Sequence, residues 1–263
     1  MPHFHLTCNV GSLGINKNGD TPDQVSEVRR RLFNTLSRIR DEHGTYPHSI
    51  GLQETRTYDM KLAPAYDLPV ASDQSIFVPG LNGRNTTRGV CTYALHPGNV
   101  QVFQPLNDSA EIVTTIHNTR FNSGSGERDQ LVAFINVYRL RNANARCDTL
   151  RDIQDYIQLQ SEKLQRECKV RKVIVHGDFN ADSMNLPGFH EVYHEDMYHK
   201  HHANSKRTFI DKVFANFDHV SIPQVYPAIE SAAGEASDLG HKAILVRLGK
   251  VKASVTQCGR TPC

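Results

Sequence analysis

The stretch VIVHGDFNAD, Val173 to Asp182, decides the fold. Val173, Ile174 and Val175 form a β-branched run of the kind that makes a buried strand, and the run then breaks into a glycine and two acids around an asparagine. An ionised carboxylate is costly to bury without partners, so Asp178 is expected where the strand reaches a rim of the sheet. Gly177 is expected to let the backbone turn there.

Working outward, FHLTCNV (4–10) alternates as a first strand with Phe4, Leu6 and Cys8 on one face and Asn9 at its end. A helix follows in TPDQVSEVRRRLFNTLSRIRDEHG. Thr21 is its N-cap, Pro22 its first position, Gln24 the third residue of a capping box, and Gly44 its stop. Val25, Val28, Leu32, Leu36 and Ile39 recur at steps of three and four and give it one apolar stripe. Strands are read at 48–55, 88–95, 110–117, 130–140, 208–216 and 241–249, with a second amphipathic helix at about 148–167 carrying Leu150, Ile153, Ile157 and Leu164. The link NTRFNSGSGERD (118–129) reads as a mobile loop. Several strands follow one another with only turns between. That pattern predicts an α/β mixed sheet or a two-sheet sandwich flanked by helices, not a regular βαβ series.

With 263 residues, 38% hydrophobic and 22% charged, the chain has the composition of a soluble globular protein that buries a core. One domain is expected over 1–250, with 251–263 a flexible tail or the start of a linker. A formal charge of +2 does not by itself announce a polyanionic partner. No apolar run reaches the ~18 residues of a membrane span, and the start MPHFHLTCNV lacks signal-peptide features, so an intracellular protein, nuclear or cytoplasmic, without membrane association is expected. The six cysteines, at 8, 91, 147, 168, 258 and 263, include no Cys-x-x-Cys pair and indicate no structural zinc.

The apolar segments share one further property. They end or begin in polar residues of catalytic type: Asn9, Glu54, Tyr138, Asp178 with Asn180, and the region of Asp238 and His241. Strand ends on one rim can bring together side chains that are far apart in sequence, which is how a scaffold assembles an oxygen-ligand metal site. Each such residue taken alone is more readily read as a turn former, and only the set in its order points to chemistry.

Taken in order, TCNV, GLQET, NVYRLRN, GDFNAD, TFIDKVF and SDLGHKAI resemble the successive motifs of the endonuclease/exonuclease/phosphatase superfamily. These are metal-dependent phosphodiesterases related to pancreatic deoxyribonuclease and to exonuclease III-type repair nucleases. The resemblance runs from Asn9 to His241, and GDFNAD is its most specific part. It implies a four-layer sandwich of two packed mixed β-sheets flanked by helices. Within the superfamily, GDFNA, LQET and RGV are most similar to the endonucleases of LINE-type retrotransposons.

The resemblance implies a function as well: an endonuclease that nicks DNA through metal-assisted attack of water on a backbone phosphate. Glu54 would be the principal ligand of Mg²⁺ or Mn²⁺, helped by Asn9 and Asp238. Asp178 would orient or deprotonate the water and Asn180 would hydrogen-bond water or phosphate. His241, oriented by Asp211, would donate to a phosphate oxygen, as would the Tyr138 phenol. Arg56, Arg84, Arg88, Arg139 and Arg141 are candidates for backbone phosphate contacts, and solvated surface charge is the alternative for each. Leu239 and Gly240 separate Asp238 from His241, which the family places side by side. Alignment through HKAIL keeps His241 in place and displaces Asp238, and a positive φ at Gly240 would fold Asp238 back as a secondary metal contact.

Other readings stand beside this one. The same fold could act on RNA, a phospholipid or phosphotyrosyl-DNA, or could serve as a non-catalytic nucleic-acid-binding module. HEVYH (190–194) also fits His-Glu-x-x-His, in which a helix carries two zinc ligands and a glutamate base, although Met197 and Lys200 stand where an extended motif needs Gly and His.

Overall fold

The computed structural model describes residues 2–11, 22–55, 76–78, 89–94, 110–119, 130–140, 149–200, 202–230 and 239–249. In chain order its elements are strand β1 (His3–Asn9), helix α1 (Pro22–His43), and strands β2 (Ser49–Gln53), β3 (Ile76–Val78), β4 (Val90–Ala94), β5 (Ala110–Thr119) and β6 (Gln130–Arg139). Helix α2 (Thr149–Cys168) follows, then β7 (Lys172–Asp178), β8 (His190–Glu191), β9 (Asp211–Ala215), β10 (Gln224–Tyr226) and β11 (Ala243–Leu248). They form one sheet in the order β10-β11-β1-β2-β4-β3 and a second in the order β5-β6-β7-β9-β8. Two mixed sheets flanked by helices are therefore the architecture, as the strand pattern predicts.

Each sheet holds one parallel pair, β1 with β2 and β6 with β7, and a helix makes the crossover in each case. A parallel pair needs such a crossover, and the helix must cover the face it packs on. Val28, Leu32, Leu36 and Ile39 of α1 pack with Phe4, Leu6, Ile50 and Leu52 on one outer face. Ile153, Ile157 and Leu164 of α2 pack with Ile135, Val137, Val173 and Val175 on the other. Gly44 ends α1 with φ 73°, its N–H donating to the Arg40 carbonyl at 2.7 Å, a left-handed cap. Thr21 and the proposed capping box start lie outside the described residues.

The layer between the sheets contains Phe134, Ile174, Val213, Ile244 and Val246 toward one end. The rest of it is unusually polar. The alternate residues of β1, His3, His5 and Thr7, are buried as completely as the apolar set, because both faces of each sheet are covered. His5 stacks on Phe134 at a centroid distance of 4.4 Å and lies 4.3 Å from His176, while His117 meets Phe134 edge-on at 4.7 Å. Asn136 of β6 ties the two sheets together, donating to the carbonyls of Leu52 (3.2 Å) and Cys91 (3.1 Å) in the opposite sheet.

Several sequence expectations need correction. β3, β8 and β10 are only two or three residues long and left no periodic signal. Asn118 and Thr119 extend β5, so only 120–129 of the expected loop stays outside the described residues. Gly177 is not a turn: it lies inside β7 with φ 132°, and a Cβ there would stand 2.0 Å from the Val137 carbonyl oxygen. Its role is close approach of β7 to β6, and the chain turns at Asn180 instead. HEVYH forms no helix. His190 and Glu191 are an exposed edge strand, and Glu191 pairs with Lys212 at 3.0 Å, so the one-face geometry that a zinc-protease motif requires is absent. Cys8, Cys91 and Cys168 are free thiols.

Candidate active site

The carboxyl-terminal ends of the two parallel pairs meet at one rim. Asn9 is in register with Gln53, so Glu54 follows one residue beyond, and Tyr138 is in register with Asp178, which in turn pairs with Asp211. The rim is thus built from strand ends of both sheets, the place where crossover topologies leave a crevice. Asn9 joins the sheets there. Its amide nitrogen donates to Glu54 Oε1 and to Asp178 Oδ2, both at 3.0 Å, while its oxygen accepts the Gly11 N–H at 3.0 Å. Tyr138 donates its hydroxyl to the same Glu54 Oε1 at 2.8 Å.

Asp178 is 1% exposed, and its Oδ1 accepts the Asn180 N–H at 2.8 Å. On its other side His241 Nε2 stands 3.8 Å from Asp178 Oδ2, and His241 Nδ1 pairs with Asp211 Oδ2 at 2.8 Å. His241 comes to this rim because it stands two residues before β11 (Ala243–Leu248), the antiparallel neighbour of β1. Gly240, with φ 80°, precedes it, its N–H donating to the Lys200 carbonyl at 2.9 Å.

Two backbone conformations at the rim are costly. Glu54 (φ 51°) and Asn180 (φ 46°) both sit in the left-handed region. Asparagine tolerates it, whereas glutamate gains nothing locally from it. Such strain is held by surrounding structure and concentrates where a side chain must be aimed.

Electrostatics are equally strained. Burial raises the Asp178 pKa well above the carboxylate range against the pull of His241, and the nearby Asp211 and Glu54 carboxylates add to the rise. Burial alone would depress His241, but the carboxylates of Asp211 and Asp178 outweigh it and hold the imidazole well above its usual pKa. Asp178, Asp211 and His241 each place a donor atom within 4.8 Å of the others. Three clustered carboxylates beside one imidazole form an oxygen-rich site, and hard oxygen donors of this kind suit Mg²⁺ or Mn²⁺. The Asn9 amide thus holds one Glu54 oxygen and one Asp178 oxygen together across the two sheets, while its own oxygen accepts the Gly11 N–H.

Asn180 carries its side-chain amide to the Arg139 carbonyl and to Asp178 Oδ2 (3.3 Å). Arg139 turns inward, its guanidinium donating to the Asn180 carbonyl at 3.0 Å, and so braces the turn after β7. Arg56, Arg84, Arg88, Arg141 and Asp238 lie outside the described residues.

The structure adds groups that the sequence did not single out. Around the Tyr198 ring stand three cations, Arg207 at 4.2 Å, Lys242 at 5.4 Å and Lys200 at 5.9 Å from its centroid. Tyr198 and Lys200 are the chain neighbours of His199, whose ring lies 4.2 Å from that of His241. No periodicity signals these residues, because they belong to irregular segments or strand edges brought together only by the tertiary fold.

Among the described residues no helix is long and apolar enough to cross a membrane. No protein-family model matches the chain, and no curated protein matches it in sequence. Solved structures do match. An endonuclease/exonuclease/phosphatase family protein from Leptotrichia buccalis C-1013-b superposes with a TM-score of 0.61 at 16% identity, covering 94% of this chain and 99% of its own. TDP2 of D. rerio, crystallised with a single-strand DNA product, gives 0.60 at 13% identity, with 95% and 99% covered. The endonuclease domain of TRAS1, a telomere-specific non-LTR retrotransposon, gives 0.53 at 12% identity over 95% and 99%. The chain has the fold of the endonuclease/exonuclease/phosphatase proteins.

Proposed function

We propose that this protein is a Mg²⁺- or Mn²⁺-dependent phosphodiester hydrolase that nicks DNA. The observation that carries the reading is the Asn9 amide bridging Glu54 and Asp178 at 3.0 Å each, with the His241–Asp211 pair on the far side of Asp178. Two carboxylates held together from opposite sheets, one of them buried, have no structural purpose that an apolar pair would not serve better.

Glu54 and Asp178 would hold the divalent cation, which when bound neutralises charge on a phosphoryl oxygen. Asp178 would also orient the attacking water and take its proton. Asn180, fixed to Asp178 and to the Arg139 carbonyl, orients that water or a phosphate oxygen. His241 keeps its Nδ1 proton on Asp211 and so presents Nε2–H to the phosphate, donating to charge that develops in the transition state. Tyr138 fixes the Glu54 carboxylate. Arg207 and Lys200, with Arg56, Arg88 and Arg141, would contact the polyanionic backbone.

DNA is favoured over other phosphodiesters by the motif resemblance to retrotransposon endonucleases and by the fold shared with a TDP2 crystallised with a DNA product. The test is incubation of supercoiled plasmid, single-stranded RNA, 5′-phosphotyrosyl DNA and a sphingomyelin micelle with Mg²⁺, Mn²⁺ or EDTA. Metal-dependent nicking of plasmid is expected. Turnover of another substrate alone would keep the hydrolase and replace the DNA assignment, and binding of DNA without any turnover would make the protein a binding module.

A further inference from the structure

We propose that His199, Glu230 and His241 form a second cation site, suited to a borderline ion such as Zn²⁺, whose occupation withdraws His241 from the reaction. One donor atom from each of the three lies within 4.8 Å of the others. Two imidazoles and one carboxylate are the donor set that zinc accepts with a fourth position open, whereas Mg²⁺ favours oxygen ligands. Neighbouring ligands of tetrahedral zinc stand about 3.4 Å apart given its ~2.0–2.1 Å bonds, so from 4.8 Å or less the donor atoms need close by at most about 1.4 Å.

The fold holds the three residues there. The segment carrying His199 is pinned by a reciprocal backbone pair with Thr208, at 2.7 and 3.0 Å, and Lys200 accepts the Gly240 N–H at 2.9 Å, which sets His199 beside His241. Glu230 Oε1 accepts the His241 backbone N–H at 2.9 Å. Asp211 on Nδ1 already supplies the carboxylate that backs a metal-bound imidazole, leaving Nε2 for the ion. Among the cations nearby, Lys200 and Lys242 stand over the Tyr198 ring, and Arg31 is held by the Glu230 backbone carbonyl at 3.0 Å. The same Nε2 cannot carry a zinc ion and a proton, so zinc on His241 removes the proton that the proposed reaction donates to phosphate. The inhibitory half of the inference rests on that reading, and the binding half does not.

The test is calorimetric titration of Zn²⁺ into the full chain in millimolar Mg²⁺. A binding step that Mg²⁺ does not displace is expected, weakened about 100-fold in His199→Gln and in Glu230→Gln, in line with what disrupting a metal site costs. Glu230→Gln keeps an oxygen for the His241 N–H, so folding is preserved even if His199→Gln is unstable. The combined His190→Ala, His194→Ala and His202→Ala variant, which removes outlying histidines that could catch zinc adventitiously, is expected to bind as the wild type does. Binding lost in that variant, or retained in Glu230→Gln, overturns the site. In plasmid nicking at saturating Mg²⁺, Zn²⁺ should inhibit, and His199→Gln should need about tenfold more zinc or beyond. Zinc that binds at this site without inhibiting overturns the withdrawal of His241. A chain that binds zinc at these residues but cleaves no phosphodiester refutes the proposed function and leaves the site standing.

Discussion

Asp211 and His241, 30 residues apart, face each other at 2.8 Å between a carboxylate oxygen and Nδ1, both nearly buried at the meeting point of the two sheets. The contact fixes the imidazole's orientation and helps raise its pKa, since burial alone would lower it and the charges of Asp211 and Asp178, with the Asp211 hydrogen bond, reverse the sign.

A group whose donor form is the protonated one works below its pKa. Removing the Asp211 charge in Asp211→Asn should therefore move the alkaline limb of the kcat/KM profile to lower pH and cut the rate by about 10²-fold or more, the usual worth of a positioned acid. His241→Ala should lose a similar factor and the limb with it. An alkaline limb unchanged in Asp211→Asn would show that His241 is not the titrating donor.

Asp178 and Glu54 are aimed at the cost of stability. Asp178→Asn should abolish most turnover, about 10³-fold, because it removes a group acting in the reaction, yet leave the melting temperature of the metal-free protein equal or higher, because a desolvated carboxylate beside Asp211 and Glu54 is gone. Glu54→Gln should shift the Mg²⁺ requirement upward and keep the fold. A large fall in melting temperature for both variants would mark the rim as structural and remove its functional reading.

How these residues reach one rim was partly legible: the periodic strands β1, β2, β6 and β7 end at or beside Asn9, Glu54, Tyr138 and Asp178, whereas Asp211 opens β9 and His241 stands just before β11. The inter-sheet layer was not legible. An alternation of His3, His5 and Thr7 with Phe4, Leu6 and Cys8 reads as one wet face and one dry face, and only the second sheet makes both dry. Nor does the sequence show His199 and Glu230 beside His241, since all three depend on irregular segments converging, and it misassigned Gly177 because a glycine at a strand end looks like a turn.

Gly51 and Gly177 test that tertiary reading. A Cβ at Gly51 would stand 2.1 Å from Cε1 of His176 in the opposite sheet, and one at Gly177 2.0 Å from the Val137 carbonyl oxygen at φ 132°. Gly51→Ala and Gly177→Ala should each destabilise by about 3 kcal/mol or more, as overpacking in a closed core does. Chemical denaturation measures it. Gly51→Ala should be partly rescued by His176→Ala, which opens the space, while Gly177→Ala, blocked by backbone, should not.

The buried histidines predict acid lability. His117 and His176 are lowered to about 3 and His5 well below its ordinary value, chiefly because burial penalises the cation, with neighbouring imidazoles adding to it for His5 and His176. In the unfolded chain these groups take up protons near pH ~6.5, and in the folded chain only near 3, so the unfolded state binds more protons between those values. Their contribution is fully present above about pH 6.5 and is lost as pH falls toward 3. Asp178 and His241, whose pKa values are raised, act in the opposite sense, so a comparison between variants isolates the core effect. Replacing His117 by Phe, beside Phe134, removes one such uptake. Urea unfolding at pH 7.5 and 5.0 should show the wild type losing about 2 kcal/mol more over that interval than His117→Phe, from ~1.5 pH units at 1.36 kcal/mol each. Equal losses in the two proteins would mean that His117 is charged or solvated in the native state, and that the polar layer between the sheets is wet.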